Sequence, residues 1–308
     1  MKRIIITGAT GLIGKKLSEK LSLAGNQIVI FSRDAAKAKT ILKKNYEYVD
    51  WDYNHPEKWI DKISESDAVI HLAGINLFAK RWNEKFKKEI IISRRDTTKA
   101  LTNAIKKSSR KPKVFISASG VGYYGDGGNN ILSEDSPAGK DFLAEVCKVW
   151  EKEATEVESV GVRRVSLRTG IVLSPEDGAL KRMLLPFKLF IGGPLGNGNQ
   201  WFPWIHIDDI IGVYVHALDN ENLSGAVNAA SPKICTMNEF AKTLGKILNR
   251  PSFFKVPKFA LKLTIGEAAD VVVMGQRVSV NKLLSAGYKF KFENLEEVLR
   301  DLLKKKRA

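Results

Sequence analysis

The chain is short of several things that would fix its class at once. Its 308 residues include only two cysteines, Cys147 and Cys235, and four histidines, His55, His71, His206 and His216. Two cysteines supply no disulfide framework, which fits a reducing, cytoplasmic setting. The histidines show no ligand spacing, so no metal site is expected. No apolar run approaches the ~20 residues of a membrane helix, and the N-terminus reads as a folded strand rather than a signal peptide. No membrane partner is therefore expected. Internal repeats and low-complexity linkers are also missing. A P-loop needs a glycine, four residues and then Gly-Lys-Ser/Thr. Here Gly14-Lys15 is followed by Lys16 and the position five before Gly14 is Ala9, so that motif is excluded.

Charge of one sign is in excess. The net charge is +16 and 44% of residues are apolar, enough for a sizeable core. The basic residues are spread, with small concentrations at Lys106–Lys113 and Lys304–Arg307. No zinc finger or RNP-like signature accompanies them, so a nucleic-acid partner is not expected. The same field would attract anionic ligands.

What is present is concentrated at the start. Ile4-Ile5-Ile6 runs into Thr7-Gly8-Ala9-Thr10-Gly11-Leu12-Ile13-Gly14. An apolar run that breaks into three glycines at three-residue spacing predicts a buried strand, a tight turn and a helix start. Gly8 allows the turn, Gly11 allows backbone to approach a pyrophosphate, and Gly14 allows close helix–strand packing. The free N–H groups at the helix start, at Thr10, Leu12 and Ile13, would face the phosphates. The second strand, Gln27–Phe31, ends in Ser32-Arg33-Asp34. An NAD site usually places an acidic residue there to hold the ribose 2′-OH. Ser32 and Arg33 instead suit a 2′-phosphate, so NADP is the expected cofactor. Asp34 is the competing reading, since a one-residue shift would restore an acidic residue.

Further strands are predicted near 46–52, 67–74, 114–119 and 164–168, with helices over 15–24, 83–107 and 140–158. This alternation predicts an α/β fold, a doubly wound parallel Rossmann-type sheet over residues 1–170. Beyond it, a loop spans 191–204, Asp208-Asp209 can cap a helix reaching Leu218, and a short strand covers 226–230. Helices follow at 238–248 and near 294–304. Residues 171–308 are expected to form a smaller C-terminal substrate lobe with an extension at about 253–304.

Thr7–Gly14, the His71-Leu72-Ala73-Gly74 strand end and the Tyr-Gly after strand five resemble extended short-chain dehydrogenases/reductases. More narrowly, the chain resembles the YfcH-type epimerase family, some of whose members carry a SulA-like, cell-division-inhibitor label. That narrower likeness rests on Ser119–Asp126, Phe142 through Trp150-Glu151, Gly192–Gly196, Gly198, Gln200–Phe202, Trp204–Asp209 and Gly275–Val278. It spans essentially the whole chain and implies NADP binding on a Rossmann-type lobe.

The broad superfamily uses a tyrosine with a lysine four residues later, plus a serine. None of the seven tyrosines here has that lysine. With Glu151 as the marker, the tyrosine slot falls on Leu143 and the lysine slot on Cys147. Candidate substitutes are Ser119, or Gly120 if Tyr124-Gly125 sets the alignment, and the phenols of Tyr123 and Tyr124. Cys147 is expected to line the nicotinamide pocket, Asp52 to meet the adenine edge, and Leu72, Ala73 and Gly74 to let the ribose approach. Arg81 is placed to reach a phosphate, and Arg168, Gln200, Trp201 and Trp204 to shape a substrate pocket. His206 and Asp208 are expected to anchor a strand-to-helix turn. Two functions remain: a reductase or epimerase on a small polar or sugar-like substrate, or a non-catalytic NADP-binding regulatory module, linked to redox state or division. A homodimer is compatible with either.

Overall fold

The structure, a computed structural model, describes residues 1–304. Lys305, Lys306 and Arg307 of the C-terminal basic run lie outside the described residues. The first half alternates strands and helices: β1 (Arg3–Thr7), α1 (Leu12–Leu23), β2 (Gln27–Ser32), α2 (Ala35–Leu42), β3 (Glu47–Asp50), α3 (Ile60–Ser64), β4 (Ala68–His71), α4 (Glu84–Lys107), β5 (Val114–Gly120), β6 (Ile131–Leu132), α5 (Phe142–Thr155) and β7 (Arg163–Thr169). The rest comprises β8 (Ile171–Leu173), α6 (Gly178–Lys188), β9 (Trp201–Phe202), β10 (Trp204–His206), α7 (Ile207–Asp219), β11 (Gly225–Ala229), β12 (Cys235–Thr236), α8 (Met237–Leu248), α9 (Lys258–Ile265), α10 (Ala268–Val272), β13 (Arg277–Val278), α11 (Asn281–Ser285) and α12 (Leu295–Lys304).

Seven strands form one sheet in the order β11-β7-β5-β4-β1-β2-β3, and every pair is parallel. Its strands are apolar on both faces because helices cover both. Ile4, Ile6, Ile28, Ile30 and Ile70 point into one core with Leu17 and Leu21 of α1 and Ile210 and Tyr214 of α7. Ile5, Val29, Phe31, Val69 and Phe115 point into the other, with Ile63 of α3 and Leu101 and Ile105 of α4.

The sheet does not respect a division at residue 170. β11 pairs with β7, and α7 shares the first core with α1. A strand beyond the sixth needs a partner edge, and β7 supplies it. The predicted 191–204 loop also carries short pairings, β9 with β12 and β10 with β8. Helix α7 is not capped by Asp208 or Asp209. His206 Nδ1 accepts the Asp208 N–H at 2.9 Å, while the Asp209 carboxylate accepts Lys291 N–H at 2.7 Å and Phe292 N–H at 3.0 Å. Burial raises the Asp209 pKa, and those backbone bonds work against the rise.

The chain reverses strand order between β4 and β2, on either side of β1, which opens a crevice at the carboxyl ends of these strands. A buried histidine joins β1 to β4 there. The Thr97 hydroxyl donates to the Ser93 carbonyl at 2.7 Å, so toward His71 Nε2 at 3.3 Å it accepts. The hydrogen-bond network therefore assigns the His71 proton to Nε2. Nδ1 accepts from the Thr7 hydroxyl at 2.7 Å, leaving Thr7 Oγ1 to accept the N–H groups of Leu72 and Ala73, each at 3.2 Å. Burial first, then the nearby Arg94 charge, pushes the His71 pKa from 6.5 down to about 3.

The unfolded chain binds a proton at His71 that the folded chain refuses between those two values. The stability due to this group is present above pH ~6.5 and is lost as pH falls toward 3, at about 1.4 kcal/mol per pH unit. Urea titrations between pH 7 and pH 4 are expected to show that slope, and His71→Gln to be less stable at pH 7 but flatter with pH.

Candidate functional site

The crevice is a cavity of about 500 Å³. Its floor is the β1–α1 turn with Gly8, Ala9, Thr10 and Gly11; one end has Ser32, Arg33, Trp51 and Tyr53; the other has Leu72, Ala73, Gly74 and Ile75. Ser93 and Thr97 of α4 close a side.

The three glycines serve different ends. Gly8 has φ +68°, and a Cβ there would sit 2.8 Å from Ala73 N. A Cβ on Gly14 would sit 2.4 Å from the Gly8 carbonyl oxygen. Both positions are fixed by protein packing. At Gly11 a Cβ meets only the Gly8 carbonyl oxygen, at 3.3 Å, a milder crowding than at Gly8 or Gly14, and Gly11 itself lines the cavity. Gly11 is also the N-cap of α1, which has no side-chain cap and no acidic residue in its first turn. The bare helix start is left to attract an anion. Leu12, Ile13 and Gly14 belong to that first turn and do not line the cavity.

At the β2 end Asp34 and Arg33 are placed differently. Asp34 caps α2 by accepting the Lys37 N–H at 2.8 Å. The Ser32 hydroxyl donates to the Asp34 carbonyl at 2.9 Å, so Ser32 lines the cavity with its hydroxyl turned onto backbone. Arg33 is exposed at the rim and forms no ion pair among the described residues. Asp52 does not reach the cavity. Its carboxylate accepts the Asn54 N–H at 2.9 Å and its carbonyl accepts from Trp59 Nε1 at 2.8 Å, which builds the turn after β3. Trp51 and Tyr53, its neighbours, line the wall instead; their aromaticity in a turn was the available signal. Arg81 also points elsewhere, donating to the Lys262 carbonyl of α9 at 3.2 Å.

Ser119, Tyr124 and Arg168 are brought together in a buried knot, whereas Gln200, Trp201 and Trp204 lie on other partners. Arg168 is 3% exposed. It donates to both oxygens of Glu151, at 2.9 and 2.8 Å, to Tyr124 Oη at 2.9 Å and to the Glu134 carbonyl at 3.0 Å. Ser119 Oγ donates to Glu151 at 2.6 Å, and Tyr124 Oη donates to Asn228 at 2.7 Å. The hydroxyls of Ser119 and Tyr124 are therefore committed to a structural network joining β5, β7, β11 and α5. Burial pushes the Tyr124 phenol up to about 12, with Arg168 and Asn228 pulling the other way. Burial works against the Arg168 charge, yet its bonds to Glu151 hold its pKa above the ordinary arginine value. Tyr123 is the phenol left half-exposed, its ring 3.4 Å from the Arg168 guanidinium carbon.

Cys147 is a buried thiol 3.6 Å from the Gly120 carbonyl oxygen. Burial and the Glu151 charge push it up to about 11, which rules out a thiolate at neutral pH. Trp204 is fully buried in the core rather than facing substrate. Gln200 Nε2 donates to the Leu195 carbonyl at 2.8 Å, while its Oε1 is buried without a hydrogen-bond partner among the described residues. Trp201 Nε1 donates to Asn129 at 3.0 Å, with Arg277 stacked 4.7 Å over its ring. No metal-binding cluster occurs, and no helix is long and apolar enough to cross a membrane, among the described residues.

Removing one member of a buried ion pair strands the other. Arg168→Met is expected to cost about 3–5 kcal/mol in urea unfolding, and the double change Arg168→Met with Glu151→Leu to recover much of it.

Comparison with known proteins agrees with this architecture. Residues 4–230 match the NAD dependent epimerase/dehydratase family, and residues 256–302 match a domain of unknown function, DUF1731. The chain is 37% identical over 302 residues to the chloroplastic epimerase family protein SDR39U1 homolog of Arabidopsis thaliana, covering 97% of this chain and 86% of the relative. It is 37% identical over 303 residues to epimerase family protein YfhF of Bacillus subtilis, covering 97% of each. The crystal structure of human SDR39U1 with NADPH superposes with a TM-score of 0.87 at 33% identity, covering 98% of this chain and 99% of that one. The glycine turn, the seven-stranded parallel sheet and these matches together establish that the chain belongs to the NAD dependent epimerase/dehydratase family.

Proposed function

We propose that the chain binds NADP(H) in the β1–β4 crevice and works as a reductase or epimerase on a small polar or sugar-like substrate. The observation that carries the cofactor reading is the pairing of a bare α1 N-terminus beside Gly8 and Gly11 with an uncommitted Arg33 at the end of β2. The first suits a diphosphate and the second suits an extra 2′-phosphate. Asp34, which would oppose that phosphate, is turned away as a helix cap. The human relative crystallised with NADPH supports the same choice. Trp51 and Tyr53 would flank the adenine, and Leu72–Gly74 would pass the ribose of the nicotinamide half. When bound, the nicotinamide supplies or accepts hydride. The chain's own residues bind, orient and exclude water. The buried, unpartnered Gln200 Oε1 and the Trp201 ring support a substrate approach from the C-terminal half. The buried free thiols suit a reducing compartment such as the cytoplasm.

One observation favours a second reading. Ser119 and Tyr124 spend their hydroxyls on the Arg168 knot, and Cys147 stands where a lysine would assist a phenol. A protein so arranged could hold NADP(H) as a regulatory or redox-sensing module without turnover.

Calorimetry with NADPH and NADH is expected to favour NADPH in the native protein. Arg33→Ala should weaken NADPH by about tenfold to a hundredfold and leave NADH nearly unchanged. Equal losses for both would remove the 2′-phosphate role. Gly11→Val should still fold, with a lowered unfolding midpoint because its Cβ presses on the Gly8 carbonyl, and bind neither dinucleotide. Oxidation of NADPH with a panel of carbonyl compounds and nucleotide sugars separates the two readings. Turnover supports the enzyme, and tight binding with none supports the module.

A further inference from the structure

A guanidinium lies under the crevice where no carboxylate answers it. Arg94, on α4, is 8% exposed. Nη1 donates to the Ile90 carbonyl at 3.2 Å and lies 3.5 Å from Ser93 Oγ; Nη2 donates to the Ile75 carbonyl at 3.1 Å. Its guanidinium carbon lies over the Trp150 ring, 5.0 Å from the centroid. These neutral partners hold the group in place without cancelling its charge. No ion pair reaches Arg94 among the described residues. Glu89, the one carboxylate among the residues that line the cavity, stands 3.8 Å from Lys80, and Glu151 of the neighbouring helix α5 is held by Arg168. Burial pushes the Arg94 pKa down to about 10, so the charge persists at neutral pH. A buried cation left uncompensated costs stability, and such a cost calls for a use.

Its position indicates the use. A Cβ on Gly74 would sit 3.1 Å from the Arg94 guanidinium carbon, so the glycine lets this charge lie directly behind the crevice wall. Gly74 follows β4, on the side of the turn opposite Arg33. A dinucleotide laid across the strand reversal, with its adenosine at Arg33 and its diphosphate at Gly11, brings its nicotinamide half to this side. Arg94 also acts electrostatically on Cys147, the residue in the missing lysine's slot. The cation that α5 does not supply comes from α4.

We propose that Arg94 is a positioning residue that fixes a positive charge beside the nicotinamide half of the site and so biases the protein toward NADPH over NADP⁺. This rests on the NADP(H) reading above. The oxidised ring carries a positive charge and the reduced ring does not, while the rest of the molecule is the same. A fixed cation within several ångströms, in a partly desolvated crevice, repels the first and not the second. Arg33 senses the 2′-phosphate and Arg94 senses the redox state, from opposite ends of one ligand.

The test is the ratio of NADPH to NADP⁺ affinity by calorimetry. In the native protein NADPH should bind about tenfold more tightly. Arg94→Lys should keep most of that preference. Arg94→Gln should bring the ratio near one while leaving the NADPH-to-NADH ratio, set at Arg33, unchanged. A native protein that binds NADP⁺ as tightly as NADPH overturns the proposal without any variant, as does an Arg94→Gln ratio equal to the native one. If Arg94→Gln does not fold, the native ratio and Arg94→Lys decide alone. Failure of the native protein to bind any of these ligands would instead overturn the cofactor reading.

Discussion

The structure depends on how closely the end of β1 can approach the end of β4. Gly8 lies where a single methyl group would strike the Leu72–Ala73 peptide, and Gly14 lies where one would strike Gly8 itself. The neutral His71 imidazole, held between Thr7 and Thr97, holds the two strand ends together through hydrogen bonds that need no charge. Because the strand ends are fixed, the α1 N-terminus, Leu72–Gly74 and Arg33 stand in a constant relation. These fixed relations set the shape of the crevice between β1, β2 and β4.

A second constraint lies one strand further on. The Arg168–Glu151 pair gathers Ser119, Tyr124 and, through Tyr124, Asn228 into one hydrogen-bonded unit. It ties the early strands to β11 and explains why the sheet runs past residue 170 as one body with the later helices. It also engages the Ser119 and Tyr124 hydroxyls, the groups to which the resemblance to short-chain dehydrogenases points, as donors to Glu151 and Asn228. In that setting the positive charges near the crevice, Arg33 in front and Arg94 behind, gain weight as the groups that select a ligand.

The glycine turn was legible because it breaks a run of isoleucines at the spacing a diphosphate requires, and the parallel sheet because its strands are apolar on both faces. The place of Arg33 at the cavity's rim was legible from its position at a strand end. Other parts were not. The residues of α4 that close the crevice, Ser93 and Thr97, read in sequence only as polar positions on a long amphipathic helix. Asp52 and Trp51 adjoin in sequence, and only the turn geometry decides which of them faces the ligand. Ser119 and Tyr124 read as candidate catalytic groups and Arg168 as a substrate contact from residue type and position alone. That the three share one buried network was not legible, because it requires Glu151 and Asn228 to be placed in space. Helix α2, rich in alanine and lysine with only Ala38 and Leu42 buried, and α6, with Pro186 inside it, gave little periodic signal.

The most direct test of the central claim is a crystal structure of this protein grown with NADPH. The account predicts the diphosphate on the N–H groups at the start of α1 beside Gly11, with the 2′-phosphate within hydrogen-bond reach of Arg33. A diphosphate bound elsewhere, or a 2′-phosphate turned away from β2, would contradict it.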